Sequence, residues 1–174
     1  MEAGMHTLLP APPENPSGEA RKYLIFTLSG ESFAIDIVRV REITEYGSVT
    51  EVPMMPGAVR GVINLRGAVV PVIDLAARFG RGRTRAGRRT CIVILEVELE
   101  GDDAVQVMGI VVDAVNEVLE IPGADIAPAP SFGTGLRNDF IAGMGRVGER
   151  FVVILDLPRV LSLGDAMQTG DSHR

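Results

Sequence analysis

The sequence contains few of the residues on which most catalytic and cofactor chemistry depends. Of its 174 residues one is a cysteine, Cys91, and two are histidines, His6 and His173, which lie near the two ends. A single cysteine cannot form an internal disulfide bond, and no cluster of cysteine and histidine is present that would bind zinc. No imidazole is placed to activate a nucleophile, and neither G-x-S-x-G nor a P-loop occurs. We therefore expect that the protein is not an enzyme and that it binds neither a metal ion nor a cofactor.

Aromatic and basic residues are also scarce. Tryptophan is absent, and aromatic residues make up 5% of the sequence. The chain has 17 lysines and arginines and 23 acidic residues, which gives a formal net charge of −6. This composition excludes the basic face and stacking platform of a nucleic-acid binder. No apolar run approaches the roughly 20 residues of a membrane span, and the first residues lack the regions of a signal peptide. We expect a soluble cytoplasmic protein without direct membrane insertion.

What the chain does contain is a regular β pattern. Hydrophobic residues make up 46% of the sequence, enough for a core. Residues 1–20 are rich in Pro, Ala, Glu and Gly without any period, and residues 165–174 are polar, so we expect both to be flexible tails. Between them, short apolar runs end at Gly-rich turns, as in YLIFTLSGESFAIDI. This pattern predicts an all-β sandwich or barrel.

Only two short helices are predicted, one after each of two aspartates. Asp74 is a candidate N-cap of DLAARFG, and Gly80 follows the last helical residue. Asp156 has the same place in DLPRVLSLG, where Gly164 ends the segment. Aspartate favours the N-cap and glycine the position after a helix C-terminus, so each segment predicts a single short helix.

These two helices belong to an internal duplication. The segment GVINLRGAVVPVIDL aligns without gaps with GMGRVGERFVVILDL at an offset of 82 (143 − 61 = 82), and AIDIVRVREI aligns with GIVVDAVNEV at an offset of 75 (110 − 35 = 75). Matching order in both halves indicates two similar β-units, at about 21–85 and 90–164, between which strands can be exchanged. Because units of this size have marginal cores, we expect them to pack together around a groove.

One motif in the second half resembles a nucleotide-binding fingerprint. Residues 143–148, GMGRVG, match G-x-G-x-x-G. A dinucleotide site needs a helix after this motif, whereas the strand pattern ERFVVIL follows it here. We interpret these glycines as part of a β-turn.

The segment between the two units, residues 80–90, carries five arginines in the sequence GRGRTRAGRRT. We interpret it as a solvated, self-repelling loop, and an anion-binding site is the alternative.

Three further features place polar or flexible residues in apolar surroundings. Arg66 lies between Leu65 and Gly67, and its equivalent in the second half is Gly148, so the scaffold itself does not require an arginine there. Glu42 lies among apolar residues, and VPMMPG places two methionines between prolines, either as core filling or as a contact surface. Arginine is favoured at interface hot spots.

Four ordered blocks together resemble the CheW-like chemotaxis coupling proteins. They are YLIFTLSGESFAIDIVRVREI, VPMMPGAVRGVINLRGAVVPVIDL, GIVVDAVNEVLEI and IAGMGRVGERFVVILDLPRVL, over residues 21–162. The resemblance implies two five-stranded SH3-like β-barrels packed around a groove, in a non-catalytic adaptor. It also implies docking to the regulatory barrel domain of the chemotaxis histidine kinase and to the helical hairpin tip of a chemoreceptor. Through these partners, the resemblance implies recruitment to membrane-associated receptor arrays.

The resemblance also implies two sets of contact residues. The receptor-binding set is Val40, Glu42, Arg66, Gly109, Val115 and Val118. The kinase-binding set is Val49, Arg60, Arg66 and Val69. Two other functions remain open: coupling in a chemosensory-like pathway that controls pili or development, and a small β-barrel that binds a ligand.

Overall fold

The computed structural model describes residues 20–47, 49–55, 57–99, 104–130 and 136–162. The predicted tail at residues 165–174 lies outside the described residues, and so does the tail at residues 1–20 apart from Ala20. Within the described ranges the chain forms eleven strands, two short α-helices and three 3-10 turns. The prediction of an all-β fold is confirmed.

The first sheet contains six strands. They are β1 (Arg21–Leu28), β2 (Glu31–Asp36), β8 (Ala114–Ile121), β9 (Ile126–Ala127), β10 (Ile141–Val147) and β11 (Arg150–Leu155). Their order across the sheet is β8-β1-β2-β11-β10-β9. All neighbours are antiparallel except β2 and β11, which are parallel. The two-residue β9 is a sixth strand beyond the five that the resemblance implies.

The second sheet contains five strands. They are β3 (Val40–Glu45), β4 (Val59–Leu65), β5 (Ala68–Asp74), β6 (Cys91–Glu98) and β7 (Val105–Val112). Their order is β3-β6-β7-β5-β4, and β5 and β7 are the parallel pair. Each sheet therefore combines strands from both halves of the chain. The first sheet takes β1 and β2 from the first half, and the second sheet takes β6 and β7 from the second half.

The strand register shows the duplication in detail. The parallel pair of the second sheet aligns Val72 with Gly109, and that of the first sheet aligns Ile154 with Ala34. These pairs differ by the two sequence offsets, 154 − 72 = 82 and 109 − 34 = 75. The antiparallel register also breaks at equivalent places. One break lies between residues 40 and 42 of β3, and the other lies between their equivalents, residues 115 and 117 of β8.

The largest hydrophobic cluster lies between the two sheets. It contains Leu24, Phe26 and Leu28 of β1 together with Val93, Leu95 and Val97 of β6. The side chains at the intervening positions, such as Ile25 and Ile92, point to the opposite face of the strand. There they form a separate, smaller cluster enclosed by their own sheet. Side chains alternate between the two faces of a strand. Strands β1 and β6 read as continuous apolar runs because both of their faces are buried.

Both predicted helices are present, at α1 (Leu75–Arg78) and α2 (Leu157–Val160). The carboxylate of Asp74 accepts a hydrogen bond from the Ala77 backbone N–H at 3.3 Å, and that of Asp156 accepts one from the Arg159 N–H at 3.2 Å. Arg78 of α1 then donates to the carbonyl oxygen of Val160 at the end of α2. The two short helices are thereby linked to each other, beside the central cluster that buries Leu75 and Leu157.

The central cluster predicts that both sheets unfold together. Phe26 is fully buried there, and replacing it with alanine is expected to lower the free energy of unfolding by about 3–5 kcal/mol. The control is Phe151→Ala, since Phe151 is 55% exposed and should cost less than about 0.5 kcal/mol. Urea unfolding followed by circular dichroism should show one transition for Phe26→Ala, shifted as a whole. Two separate transitions, with only one of them shifted, would contradict a shared core.

Candidate functional site

The hairpin of β4 and β5 places Arg66 at the tip of a strained turn. Arg66 has φ 52° and Gly67 has φ 89°, so both central residues of this two-residue turn have positive φ. The Asn64 side chain accepts a hydrogen bond from the Gly67 N–H at 3.0 Å, which closes the turn. Left-handed backbone costs a non-glycine residue about 1–2 kcal/mol. At the equivalent turn in the second half, Gly148 occupies this position with φ 61°, so the glycine there avoids the cost that Arg66 bears.

Arg66 forms an ion pair with Glu42 of β3, which ties the hairpin tip to the strand at the other end of the sheet order. The Arg66 side chain nevertheless stays 67% exposed, and that of Glu42 is 29% exposed. An exposed ion pair contributes only about 0–1 kcal/mol to stability. The pair therefore contributes little to holding the fold, and both groups remain accessible to a binding partner.

The first sheet carries a related ion pair. Arg150 of β11 lies 4.0 Å from Glu117 of β8, and Glu117 is the equivalent of Glu42 (117 − 42 = 75). The arginine has moved two positions along the hairpin from Gly148, which aligns with Arg66. Each sheet thus places an arginine of its hairpin beside the acidic residue at its register break, although Arg66 itself does not recur.

A groove of about 450 Å³ runs beside the hairpin tip of the second sheet. Arg66 and Val69 line it together with Arg41 and Val107. Val69 is 70% exposed although it is a large apolar side chain, and its equivalent Phe151 is 55% exposed. Apolar side chains that stay exposed beside charged groups are typical of protein contact surfaces. The structure thus brings Glu42, Arg66 and Val69 onto one face.

The other predicted contact residues are more dispersed. Val40 and Val115 occupy equivalent register breaks in the two sheets, and both are partly buried against the central cluster. Val118 lies on β8 of the first sheet and is 49% exposed, whereas Val49 packs against the interior of the second sheet. Gly109 is buried: a Cβ added there would lie 2.8 Å from the Ile92 side chain. Gly109 therefore permits close packing beneath the surface and is not itself exposed.

Arg60, a predicted kinase-binding residue, lies within a buried ion pair. Its guanidinium is 2.5 Å from the carboxylate of Asp74, and the two side chains are 9% and 1% exposed. The Thr84 hydroxyl and backbone N–H also donate to Asp74, at 2.8 and 2.9 Å, and the Arg60 guanidinium stacks on the Tyr46 ring. Asp74 is therefore more than the helix cap that the sequence pattern indicates. Arg60 pairs with the carboxylate that caps α1 and that accepts the hydrogen bonds of Thr84 in the arginine-rich segment.

Among the described residues of the second half, this ion pair has no counterpart. Position 60 corresponds to Ala142 (60 + 82 = 142), which has no charged group, and Asp156 is only partly buried. Sequence reasoning treated Asp74 and Asp156 as equal, because each begins a short helix. The aligned sequences do distinguish the two caps. Fourteen residues before Asp74 lies Arg60, whereas fourteen residues before Asp156 lies Ala142.

An apolar loop that sequence reasoning left undecided is exposed. Met54 is 99% exposed with φ 68°, and Val52 and Met55 are 38% and 42% exposed. The interpretation of Met54 as core filling is therefore wrong, and its interpretation as a contact surface stays open. Methionine is adaptable at such surfaces because its side chain is flexible and polarizable.

One carboxyl group near the central cluster has a perturbed pKa. Side-chain hydrogen bonds from Arg137 hold the pKa of Asp139 below its usual value, against an opposing effect of burial, and the charge of Arg159 adds to the lowering. Because the folded pKa is the lower one, this interaction stabilises the fold above the usual aspartate pKa. The contribution is lost as the pH falls through the folded value.

The part of the chain that the structure describes contains neither a membrane-spanning helix nor a group of metal-binding side chains. None of its helices is long and apolar enough to cross a membrane. In the same residue ranges, no three histidine, cysteine or acidic side chains are grouped so that they could hold a metal ion.

Comparisons with known proteins agree on one family. The family model described as CheW-like domain matches residues 22–164. The chemotaxis protein CheW of Klebsiella aerogenes is 37% identical over 142 residues, which cover 82% of each chain, and that of Rhizobium meliloti is 32% identical over 140 residues, 80% of this chain and 86% of its own. The crystal structure of the scaffolding protein TtCheW from Thermoanaerobacter tengcongensis matches with a TM-score of 0.73 and 34% identity, covering 82% of this chain and 93% of the other.

The buried ion pair predicts unequal effects of the same substitution at two equivalent caps. Asp74→Asn leaves the Arg60 charge buried without a partner, so the free energy of unfolding should fall by about 3–5 kcal/mol. Asp156→Asn should cost less than about 1 kcal/mol, because asparagine is also a favoured N-cap. Urea unfolding of both variants measures the difference. Equal losses for the two variants would show that Asp74 acts only as a helix cap.

Proposed function

Because this chain belongs to the CheW-like family of non-catalytic scaffolding and coupling proteins in chemotaxis, we propose that it couples chemoreceptors to the chemotaxis histidine kinase. One face of the adaptor docks the regulatory barrel domain of the kinase, and another takes the helical hairpin tip of a receptor. The protein reaches the membrane-associated arrays through these partners. The coupling unit spans residues 21–164, as two barrel units at about 21–85 and 90–164 that exchange strands.

The observation that carries the proposal is the conformation of Arg66. A residue held in a sparsely populated backbone region persists only when something outweighs the cost, and such residues cluster at functional sites. The second half of the chain uses glycine at the same turn. The exposed ion pair with Glu42 contributes about 0–1 kcal/mol, which is less than the cost of about 1–2 kcal/mol of the left-handed backbone. Arg66 is also 67% exposed and lies beside the exposed Val69. Together these features support a role as a contact residue, whose planar, weakly hydrated fork suits a protein interface.

The receptor-binding surface combines apolar burial with one ion pair. A receptor tip with apolar residues at helical spacing would lie against Val40, Val115 and Val118, in the manner of an amphipathic helix in a groove. Glu42 and Arg66 would select the register of the bound helix more than they raise its affinity. Gly109 would act indirectly, because a larger residue there would displace Ile92 inside the second sheet.

The kinase-binding surface is centred on the β4–β5 hairpin. Val69 and Arg66 are exposed there and would contact the kinase domain directly. Val49 and Arg60 would act by supporting the hairpin, because Val49 packs inside the second sheet and Arg60 is paired with the buried Asp74. We expect each single contact to be of moderate affinity, and many linked contacts in an array supply the rest by avidity.

Coupling also requires that the adaptor distinguish between signalling states. A binding partner with equal affinity for both states of the kinase shifts neither of them. We therefore propose that the receptor alters the position of the adaptor relative to the kinase, so that one kinase state is bound more tightly.

Charge reversal at the hairpin tip tests the proposal. Arg66→Glu is expected to weaken binding to the kinase regulatory domain or to a receptor cytoplasmic fragment by about 2 kcal/mol, because it places two like charges beside each other at the contact. Isothermal titration calorimetry with each purified partner gives the affinities, and circular dichroism verifies the fold. Unchanged affinity for both partners would remove Arg66 from the binding surface.

Two matched variants separate binding from backbone strain. Arg66→Gly restores the residue found at the equivalent turn, so the free energy of unfolding should stay within about 1 kcal/mol of the wild type while the affinity falls. Arg150→Glu reverses the charge of the related pair in the first sheet and should affect binding less than Arg66→Glu. If Arg66→Gly binds both partners as the wild type does, the strained arginine has no part in recognition.

A further inference from the structure

Three arginines of the arginine-rich segment have no carboxylate partner among the described residues. Arg81 pairs with Glu31 at 2.8 Å and Arg83 with Glu51 at 2.9 Å, so the first part of the segment is neutralised by the protein itself. Arg85, Arg88 and Arg89 are exposed and form no ion pair with any residue that the structure describes. In a chain with net charge −6, this is a concentration of free positive charge.

Hydrogen bonds of two buried threonines, Thr84 and Thr90, anchor the arginine-rich segment. Thr84 is 6% exposed and donates to Asp74 through both its hydroxyl and its backbone N–H. Thr90 is 5% exposed, and its hydroxyl accepts a hydrogen bond from the Gly87 N–H at 2.7 Å. The Thr90 carbonyl also accepts from the Tyr46 N–H at 3.3 Å. The three arginines therefore project from a backbone that is held at both ends.

The same three arginines line a shallow concavity of about 560 Å³. Its other lining residues are Gly87, Thr90 and Asp113. The Asp113 carboxylate, the acidic group at this site, already accepts a hydrogen bond from the Ser29 N–H at 2.8 Å. Three guanidinium groups around one concave surface repel each other, and a ligand that carries several negative charges relieves this repulsion.

We propose that Arg85, Arg88 and Arg89 form a docking surface for an acidic polypeptide segment of a partner protein. Carboxylates suit the guanidinium fork, which binds them through two parallel hydrogen bonds. An anionic membrane is a poorer match, because its recognition typically takes clusters of 4–8 basic residues. Nucleic acid is disfavoured because no aromatic side chain lines the site and the rest of the protein is acidic. This surface shares no residue with the two proposed binding sets and lies beyond the coupling function.

A direct test uses the full chain and a fluorescein-labelled hexaglutamate peptide, with hexaglutamine as the neutral control. Fluorescence anisotropy at low salt should show saturable binding of hexaglutamate only, weakened by added salt as exposed charges are screened. The triple variant R85Q/R88Q/R89Q should lose about tenfold in affinity, which three exposed ion pairs of modest strength would supply. The triple variant K22Q/R39Q/R146Q removes three exposed positive charges elsewhere and should lose less than about twofold on the same scale.

Each other outcome overturns the proposal. If both triple variants lose affinity equally, the peptide responds to net charge and not to this surface. If the wild-type chain does not bind hexaglutamate, or binds vesicles of phosphatidylglycerol and phosphatidylcholine through these arginines instead, the partner is not an acidic polypeptide. Thermal unfolding of both variants verifies that they are folded, as expected for substitutions of exposed side chains. Calorimetry with the kinase domain and receptor fragment should remain unchanged, which separates this surface from the coupling function.

Discussion

The hydrophobic cluster between the two sheets is the constraint on which the rest of the structure depends. Each half of the chain supplies two strands to one sheet and three or more to the other, so neither half can complete a sheet by itself. The alternating side chains of β1 and β6 then fill a sheet interior on one face and the shared cluster on the other. Small β-units have marginal cores, and the exchange of strands is expected to make both parts of the chain unfold together.

On this duplicated scaffold, the differences between the halves indicate where function lies. Both halves use the same register, the same breaks in β3 and β8, and the same aspartate-capped helices. They differ at Arg66 and Gly148, where the first half accepts a strained backbone, and at Arg60 and Ala142, where the first half buries a charge. Positions that repeat serve the scaffold. The two positions that differ lie in the second sheet. Arg66 is part of the proposed contact face, and Arg60 pairs with Asp74, which binds Thr84 of the arginine-rich segment.

Local patterns predicted local structure well. The offsets of 82 and 75 were readable because the duplicated segments align without gaps, and the two helices followed from aspartate caps. What the sequence did not reveal depends on contacts between distant residues. The sequence indicated that strands could be exchanged between the units, but not which ones pair, as β1 and β8 do through Phe26 and Val115. The burial of Arg60 and Gly109 was hidden for the same reason, because Asp74 and Ile92 reach them only in the folded chain.

The central claim is that one chain joins a kinase and a receptor through different faces. Analytical ultracentrifugation of the protein with the kinase regulatory domain and a receptor cytoplasmic fragment, each labelled with a distinct dye, tests this claim directly. The account predicts a three-component complex in which both labels sediment together only when the protein is present. If the kinase domain and the receptor fragment instead displace each other from the protein, the two faces overlap and the protein cannot act as a coupler.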